Sequence, residues 1–200
     1  MQKILFNDKY GLTKAVLEGR KTQTRRIANA TLIDVACVEQ RKNDDGSFSY
    51  FLRNGQYGTS KYKIGEEIAV AQPYKAVCDY YEQEYEIGKD LEEELKGHKG
   101  YNNKMFVAAG LMPHRIRITG IRVERLQEIS YEDCIAEGIK KNPEVLRGMW
   151  EFSYIKGVTL KFEMSTTPRG AYAKLIDHIS GKGTWESNPY VFVYEFELIK

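Results

Sequence analysis

A chain of 200 residues that is 42% hydrophobic and 29% charged can build a sizeable core, and its formal net charge of +2 excludes a histone-like polycation, so any nucleic-acid surface has to be local. The longest apolar runs are strand-sized and far short of a membrane span, and the opening MQKILFNDKYG has neither the core nor the cleavage pattern of a signal peptide. Cys37, Cys78 and Cys134 are odd in number and far apart, which fits buried thiols in a reducing cytoplasm better than a disulfide framework.

In chain order, Asn7 or Asp8 is placed to cap a helix running through Glu18, with Leu12, Ala15 and Val16 on its apolar face and Gly19 as its stop. Residues 32–39 and 47–53 read as a strand pair across the turn Asn43-Asp44-Asp45-Gly46. A turn over Lys63 to Glu67 leads into a strand from Ile68 to Ala71. The stretch from Asp79 to residue 97 holds eight acids and reads as an exposed, partly helical insertion reaching to about residue 104. Residues 114–126 alternate, with Ile116, Ile118, Ile121 and Val123 on one face and arginines on the other. The slip of phase at Gly120 predicts a bulge. Ser130 opens a near capping box for a helix over 131–137 that stops at Gly138, and Thr167-Pro168 opens another with Leu175, Ile176 and Ile179 on its core face. A last alternating strand runs from Tyr190 to Leu198. No repeat or linker divides the chain. The expectation is one α+β domain over 1–200, a mixed β-barrel of about five to seven strands with peripheral helices.

Several chemistries lack their motifs. His98, His114 and His178 are scattered and no cysteine pair has ligand spacing, so no metal is expected. No GxGxxG follows a strand, and there is neither a P-loop lysine nor a GxSxG elbow, so no cofactor is expected either. What stands out is LEGRKTQTRR, Leu17 to Arg26. Arg20, Lys21, Arg25 and Arg26 flank Thr22 and Thr24 directly after the first helix, a pattern suited to an anion or nucleic-acid contact.

The residues Phe6 to Arg26 resemble the opening of ASCH domains, in particular the phage-type members of this PUA-like family. The resemblance continues in order along the chain: Tyr62 to Val70 (YKIGEEIAV), Met112-Pro113 with Arg115-Ile116, Val123 to Ile139 (VERLQEISYEDCIAEGI) and Trp185 to Phe196 (WESNPYVFVYEF). It implies a PUA-like β-barrel with a cleft that takes RNA or a modified base. The arginines Arg20, Arg25, Arg26 and Arg115 would hold phosphate, and Tyr74 would line the cleft. More distantly the chain is similar to bacterial acetylcytidine amidohydrolases. In that branch a GRKT-x-T segment and a short helix supply a lysine, a threonine and a glutamate, which fall here on Lys21, Thr24 and Glu137. Where phage relatives carry W-V-R-E, this chain has Ala69-Val70-Ala71-Gln72, so a charged pair common in that cleft is gone.

Chemically, a threonine hydroxyl becomes a nucleophile only when a base takes its proton, and a lysine serves as that base when burial or a nearby cation lowers its pKa. One geometric condition applies. Residues three apart on a regular strand face opposite sides, so Lys21 and Thr24 share a site only if the segment is a loop, turn or bulge. The blander readings stand beside this one: Lys21 and Glu137 as an ordinary ion pair, the threonines as strand formers, the arginines as a solvated face, and Trp185, Tyr190 and Phe192 as core. Three functions remain open: a binder of RNA or a modified nucleoside, an amidohydrolase of acylated cytidine, and a phage accessory protein that docks a host partner through its acidic stretch.

Overall fold

The structure, a computed structural model, describes residues 1–28, 37–141, 149–156 and 159–199. Its strands are β1 (Lys3–Ile4), β2 (Gln23–Ile27), β3 (Cys37–Lys42), β4 (Phe48–Leu52), β5 (Tyr57–Thr59), β6 (Glu67–Val70), β7 (Arg115–Arg125), β8 (Lys140–Lys141), β9 (Trp150–Lys156), β10 (Thr159–Ser165) and β11 (Tyr190–Ile199). Its α-helices are α1 (Leu12–Leu17), α2 (Tyr74–Tyr85), α3 (Gly88–Leu95), α4 (Tyr131–Ala136), α5 (Pro168–Ser180) and α6 (Thr184–Ser187). The fold is α+β. The described strands form open sheets and close no barrel among themselves. No described helix is long and apolar enough to cross a membrane.

The chain gathers into two compact units. One comprises Met1–Phe6, Glu67–Arg117 and Leu198–Lys200; the other comprises Asn7–Glu66 and Ile118–Glu197. In the first, β6 pairs in parallel with β1, Lys3 opposite Ala69, and antiparallel with the start of β7, Ile68 opposite Ile116. The stretch expected as an acidic insertion forms α2 and α3. Tyr74, Val77 and Cys78 from α2 and Leu95 from α3 pack with Ala69, Ala71, Val107 and Met112 into one core cluster. The acids therefore mark the wet side of two amphipathic helices, and the apolar residues between them carry the packing. Glu86, at φ 58, turns the chain from one helix to the next. At Gly88 a Cβ would lie 2.1 Å from the Cys78 carbonyl oxygen, so only glycine lets α3 start this close to α2.

In the second unit, β11 pairs antiparallel with β2, with Tyr194 opposite Thr24 and Val193 opposite Arg25. Strands β3, β4 and β5 form one antiparallel sheet, and β8, β9 and β10 another. The side-chain period of two gives β11 distinct faces. Tyr190 and Phe192 meet the Tyr50 ring at 6.2 and 5.5 Å, and Tyr194 meets Tyr62 edge-on at 5.2 Å. These aromatics are core side chains, all under 9% exposed. Val191, Val193 and Glu195 point to the other face.

Local differences from the sequence reading have local causes. The first helix is broken: Asn7 caps a 3-10 turn over Asp8–Tyr10, Gly11 takes φ 64, and only then does α1 begin. That left-handed step is open to glycine and resets the helix axis. Of the strand expected over 32–39, residues 32–36 lie outside the described residues, and β3 starts at Cys37. In β7 the burial changes phase at Gly120 as expected. A side chain there would meet the Glu195 carboxylate at 2.6 Å. The hairpin of β9 and β10 was not anticipated, although WEFSYIK and TLKFEMS both alternate. Helix α4 has its Ser130 cap, with the Asp133 N–H donating to the hydroxyl, and α5 has its Thr167 cap and Pro168 in the first turn.

Candidate functional site

Segment 19–22 is a connector pinned on three sides. Gly19, at φ 71, ends the α1 region, and the Lys21 N–H donates to the Ala15 carbonyl at 2.9 Å. The Thr22 N–H donates to Ala136 at 3.0 Å, and the Thr22 carbonyl accepts from the Phe196 N–H at 2.9 Å. Lys21 is thereby turned inward, and its side chain is 1% exposed. Its ammonium donates to the Gln23 carbonyl at 2.7 Å, to the Glu137 carbonyl at 2.9 Å and to Glu137 Oε2 at 2.5 Å. Burial lowers its pKa, and the facing Glu137 charge opposes that shift.

The regular strand begins two residues later, so the alternation of β2 decides what joins this pair. Gln23 and Arg25 face the side of α4; Thr24 and Arg26 face the other side. Arg25 has a side-chain exposure of 0% and is surrounded by carboxylates. Its Nη2 donates to Glu124 and Asp133, each at 2.6 Å, and its Nη1 to Gln23 Oε1 at 2.6 Å and Glu137 Oε1 at 3.2 Å. Burial works against the Arg25 charge, but Glu137 and Glu124 outweigh it and hold the guanidinium above its ordinary value. Arg122 extends the network to Glu124 at 2.9 Å, Asp133 at 2.7 Å and Glu195. The two acids Asp133 and Glu137 lie four residues apart, on one face of the α4 turn. Cys134 beside them is buried, which pushes its thiol up to about 12, so it is no thiolate nucleophile near neutral pH. No buried side-chain nitrogen or oxygen among the described residues lacks a partner.

The sequence-predicted residues therefore separate. Lys21 and Glu137 meet directly. Thr24 is 5% exposed, sits opposite Tyr194, and makes no hydrogen bond to Lys21 or Glu137. Arg25, expected on an outer basic strip, is enclosed by four partners and does not reach solvent. Arg26 is exposed, and Arg20 pairs with Glu18 at 2.5 Å on the surface. In the other unit, Arg115 is exposed and lies 3.9 Å from Glu67. Tyr74 belongs to the core cluster there, and its hydroxyl accepts from the Ala108 N–H at 2.8 Å. Its ring is therefore packing rather than cleft wall. The outward arginines of β7 are also engaged: Arg117 with Glu67, and Arg125 over the Tyr190 ring at 4.0 Å.

A cavity of about 340 Å³ lies near the backbone of the Lys21 segment, lined in part by Arg20 and Gly138. Tyr10 and Phe152 supply aromatic wall, and Gly11, Leu12, Ala15 and Gly138 line it with small or aliphatic groups. Lys14, Glu18, Arg20 and Lys140 supply charge. Gly138 has φ 104, and a Cβ there would touch Leu12, Ala15 and the Lys21 Cβ at 3.6–3.9 Å, so the cavity wall and the Lys21 stem are neighbours. Lys140 is held by Glu151 at 3.3 Å, a carboxylate whose own side chain is 3% exposed. Of these residues the sequence reading offered Arg20 alone as a functional group; Leu12, Ala15, Glu18 and Gly138 entered it only as parts of helices and their stop. Lys140, two residues past the Gly138 stop, and Phe152, on an unrecognised hairpin, gave no spacing signal. Among the described residues, no three of histidine, cysteine, aspartate and glutamate are grouped to hold a metal ion.

No family model matches the chain, and neither the curated proteins nor the solved structures contain a match to it.

Proposed function

We propose that this protein binds RNA or a modified nucleoside, with a base held in the cavity between α1, β8 and β9. The observation that carries this reading is the cavity itself. Its volume suits a single small ligand, two aromatic rings contribute to its wall, and three cations stand around it. The ordered ASCH-like motifs support the same reading, and with it a PUA-like assignment of the α+β fold and a cytoplasmic setting. The test is titration of the protein with a short single-stranded RNA and with cytidine at low and moderate salt. RNA affinity should fall as salt rises, and cytidine should compete for the same site. Exchanging Arg20 and Lys140 for Ala should weaken RNA binding. Affinity indifferent both to salt and to these two substitutions removes the cavity from the account.

A second reading, hydrolysis of an acylated cytidine, rests on one specific contact: the Lys21 ammonium against Glu137 Oε2, with the lysine pKa lowered. In that reaction Glu137 would hold Lys21, whose neutral amine would take the proton of a water attacking the acyl carbon; the acyl C–N bond would then break, that proton passing to the departing cytidine amine and the acyl group leaving as the acid. Thr24 faces the opposite side of β2 from Arg25, so the geometry favours binding over catalysis. Cytidine release from acetylcytidine, followed with wild type, Lys21→Ala and Thr24→Ala, separates the two. Release that both substitutions abolish makes the protein a hydrolase.

A further inference from the structure

The charged groups around the cavity come from three places in the chain. Lys14 is on α1, Arg20 follows it, and Lys140 opens β8. Among the described residues, Glu18 is the one carboxylate that lines the cavity with them. Arg20 reaches it at 2.5 Å and Lys14 at 3.7 Å, and hydrogen bonding to Arg20 holds the Glu18 carboxyl below its usual range. These two cations are thus already shown to converge on one oxyanion group. Lys140 stands on the same cavity, fixed by Glu151 behind it. Lys140 is already paired with Glu151, so among the described residues Lys14 and Arg20 against Glu18 leave the rim one positive charge in excess, which an uncharged nucleoside does not compensate.

We propose that the ligand of this cavity carries a terminal phosphomonoester: a nucleoside 5′-monophosphate or the phosphorylated end of an RNA, with the phosphate bridging Arg20, Lys14 and Lys140. This rests on the nucleoside-binding reading above and narrows it. A phosphomonoester carries about −1.5 to −2 charges near neutral pH and has three acceptor oxygens, so it can meet three cations from different elements at once. An internal phosphodiester carries one charge and continues the chain on both sides. Glu18 competes for the same cations and so acts as an internal anion that the phosphate displaces.

The experiment is calorimetric titration of the full chain with cytidine, cytidine 5′-monophosphate and inorganic phosphate, and then with one short RNA bearing either a 5′-phosphate or a 5′-hydroxyl. The monophosphate should bind at least about tenfold more tightly than cytidine. Lys140→Gln and Arg20→Gln should each reduce that preference, while Glu18→Gln, which removes the competing carboxylate, should increase it. Far-ultraviolet circular dichroism of each variant establishes that it is folded. A preference for the phosphorylated RNA end over the hydroxyl end assigns the source to RNA; preference for the mononucleotide alone assigns it to a free nucleotide. Equal binding of cytidine and its monophosphate overturns the phosphate proposal and leaves nucleoside binding standing. Inorganic phosphate that binds as tightly as the monophosphate overturns it as well, because the rim is then a plain anion site. Binding of none of these ligands, RNA included, overturns the nucleoside reading and this proposal together.

Discussion

The charged residues around Arg25 and those on α2 and α3 look alike in the sequence, as dense runs of ionisable side chains, yet they do opposite things. Around Arg25 the inner groups are enclosed: Lys21, Arg25 and Glu137 are each at most 6% exposed, while Arg122 and Glu195 stand at the outer edge. Lys21, Arg25 and Arg122 are matched by Glu124, Asp133, Glu137 and Glu195, and among the described residues every buried side-chain nitrogen and oxygen has a partner. On α3, Asp90, Glu93 and Glu94 are exposed and water solvates them. The difference is one of dielectric: a charge left unpaired costs little at a surface and several kcal/mol in an interior. Density of charge in a sequence therefore carries no energy by itself; burial assigns it.

That contrast can be broken by substitution, beginning with its strongest member. Glu137→Ala leaves Lys21 and Arg25 buried with a missing partner and should cost about 3–5 kcal/mol, read as a shift in the urea midpoint. A loss below about 1 kcal/mol would mean that water reaches the cluster. Arg25→Lys keeps the charge but removes the fork that meets Glu124 and Asp133 together; about 1.5–3 kcal/mol should be lost in the same assay.

Acid titration gives a third measure. Burial raises the Asp133 pKa, but Arg25 and Arg122 outweigh it and hold the carboxyl below its ordinary 3.8. A carboxylate depressed in the folded state contributes stability that is present above its unfolded pKa and lost as pH falls through the folded one. The melting temperature should therefore drop as pH falls below about 4, and Asp133→Asn should flatten part of that drop. An unchanged acid slope in the variant would show that Asp133 is not the group responsible. The smallest effect is expected on α3. Glu93→Gln should change stability by no more than about 0.5 kcal/mol, because an exposed charge has no partner to lose. A larger change would place it in a contact of its own.

The fold was legible where local chemistry suffices. Ser130 and Thr167 cap their helices, Gly19 and Gly138 take the left-handed conformation that a stop requires, and β7 alternates on either side of its slip at Gly120; β11, expected to alternate, is instead buried on both faces from Tyr190 to Tyr194. The first helix was read too long because its pattern continues through Gly11, and a glycine's choice of φ is not written in periodicity. The acidic stretch was read as exposed and partly helical, which holds for its acids; the apolar residues between them that pack were outnumbered and gave no signal. Two of the three candidate residues do meet. Lys21 and Glu137 meet across 116 positions, a pairing that came from the resemblance and not from any spacing in the chain. Asp133, four residues before Glu137, was within reach of helical spacing, since both carboxylates share one face of α4.

What the sequence by itself determined is the set of local commitments: where helices start and stop, which strands alternate, and that a cationic strip follows the first helix. Tertiary structure alone decided which of those cations is a surface group and which is core. Arg20 and Arg25 are five positions apart, yet one stands beside a cavity at 45% side-chain exposure and the other is enclosed at 0%. A strand's period of two sorts neighbours to opposite faces, but which face meets carboxylates depends on α4 and β7, more than 90 residues away. Long-range packing sets the dielectric around each charge, and the dielectric sets what that charge can do.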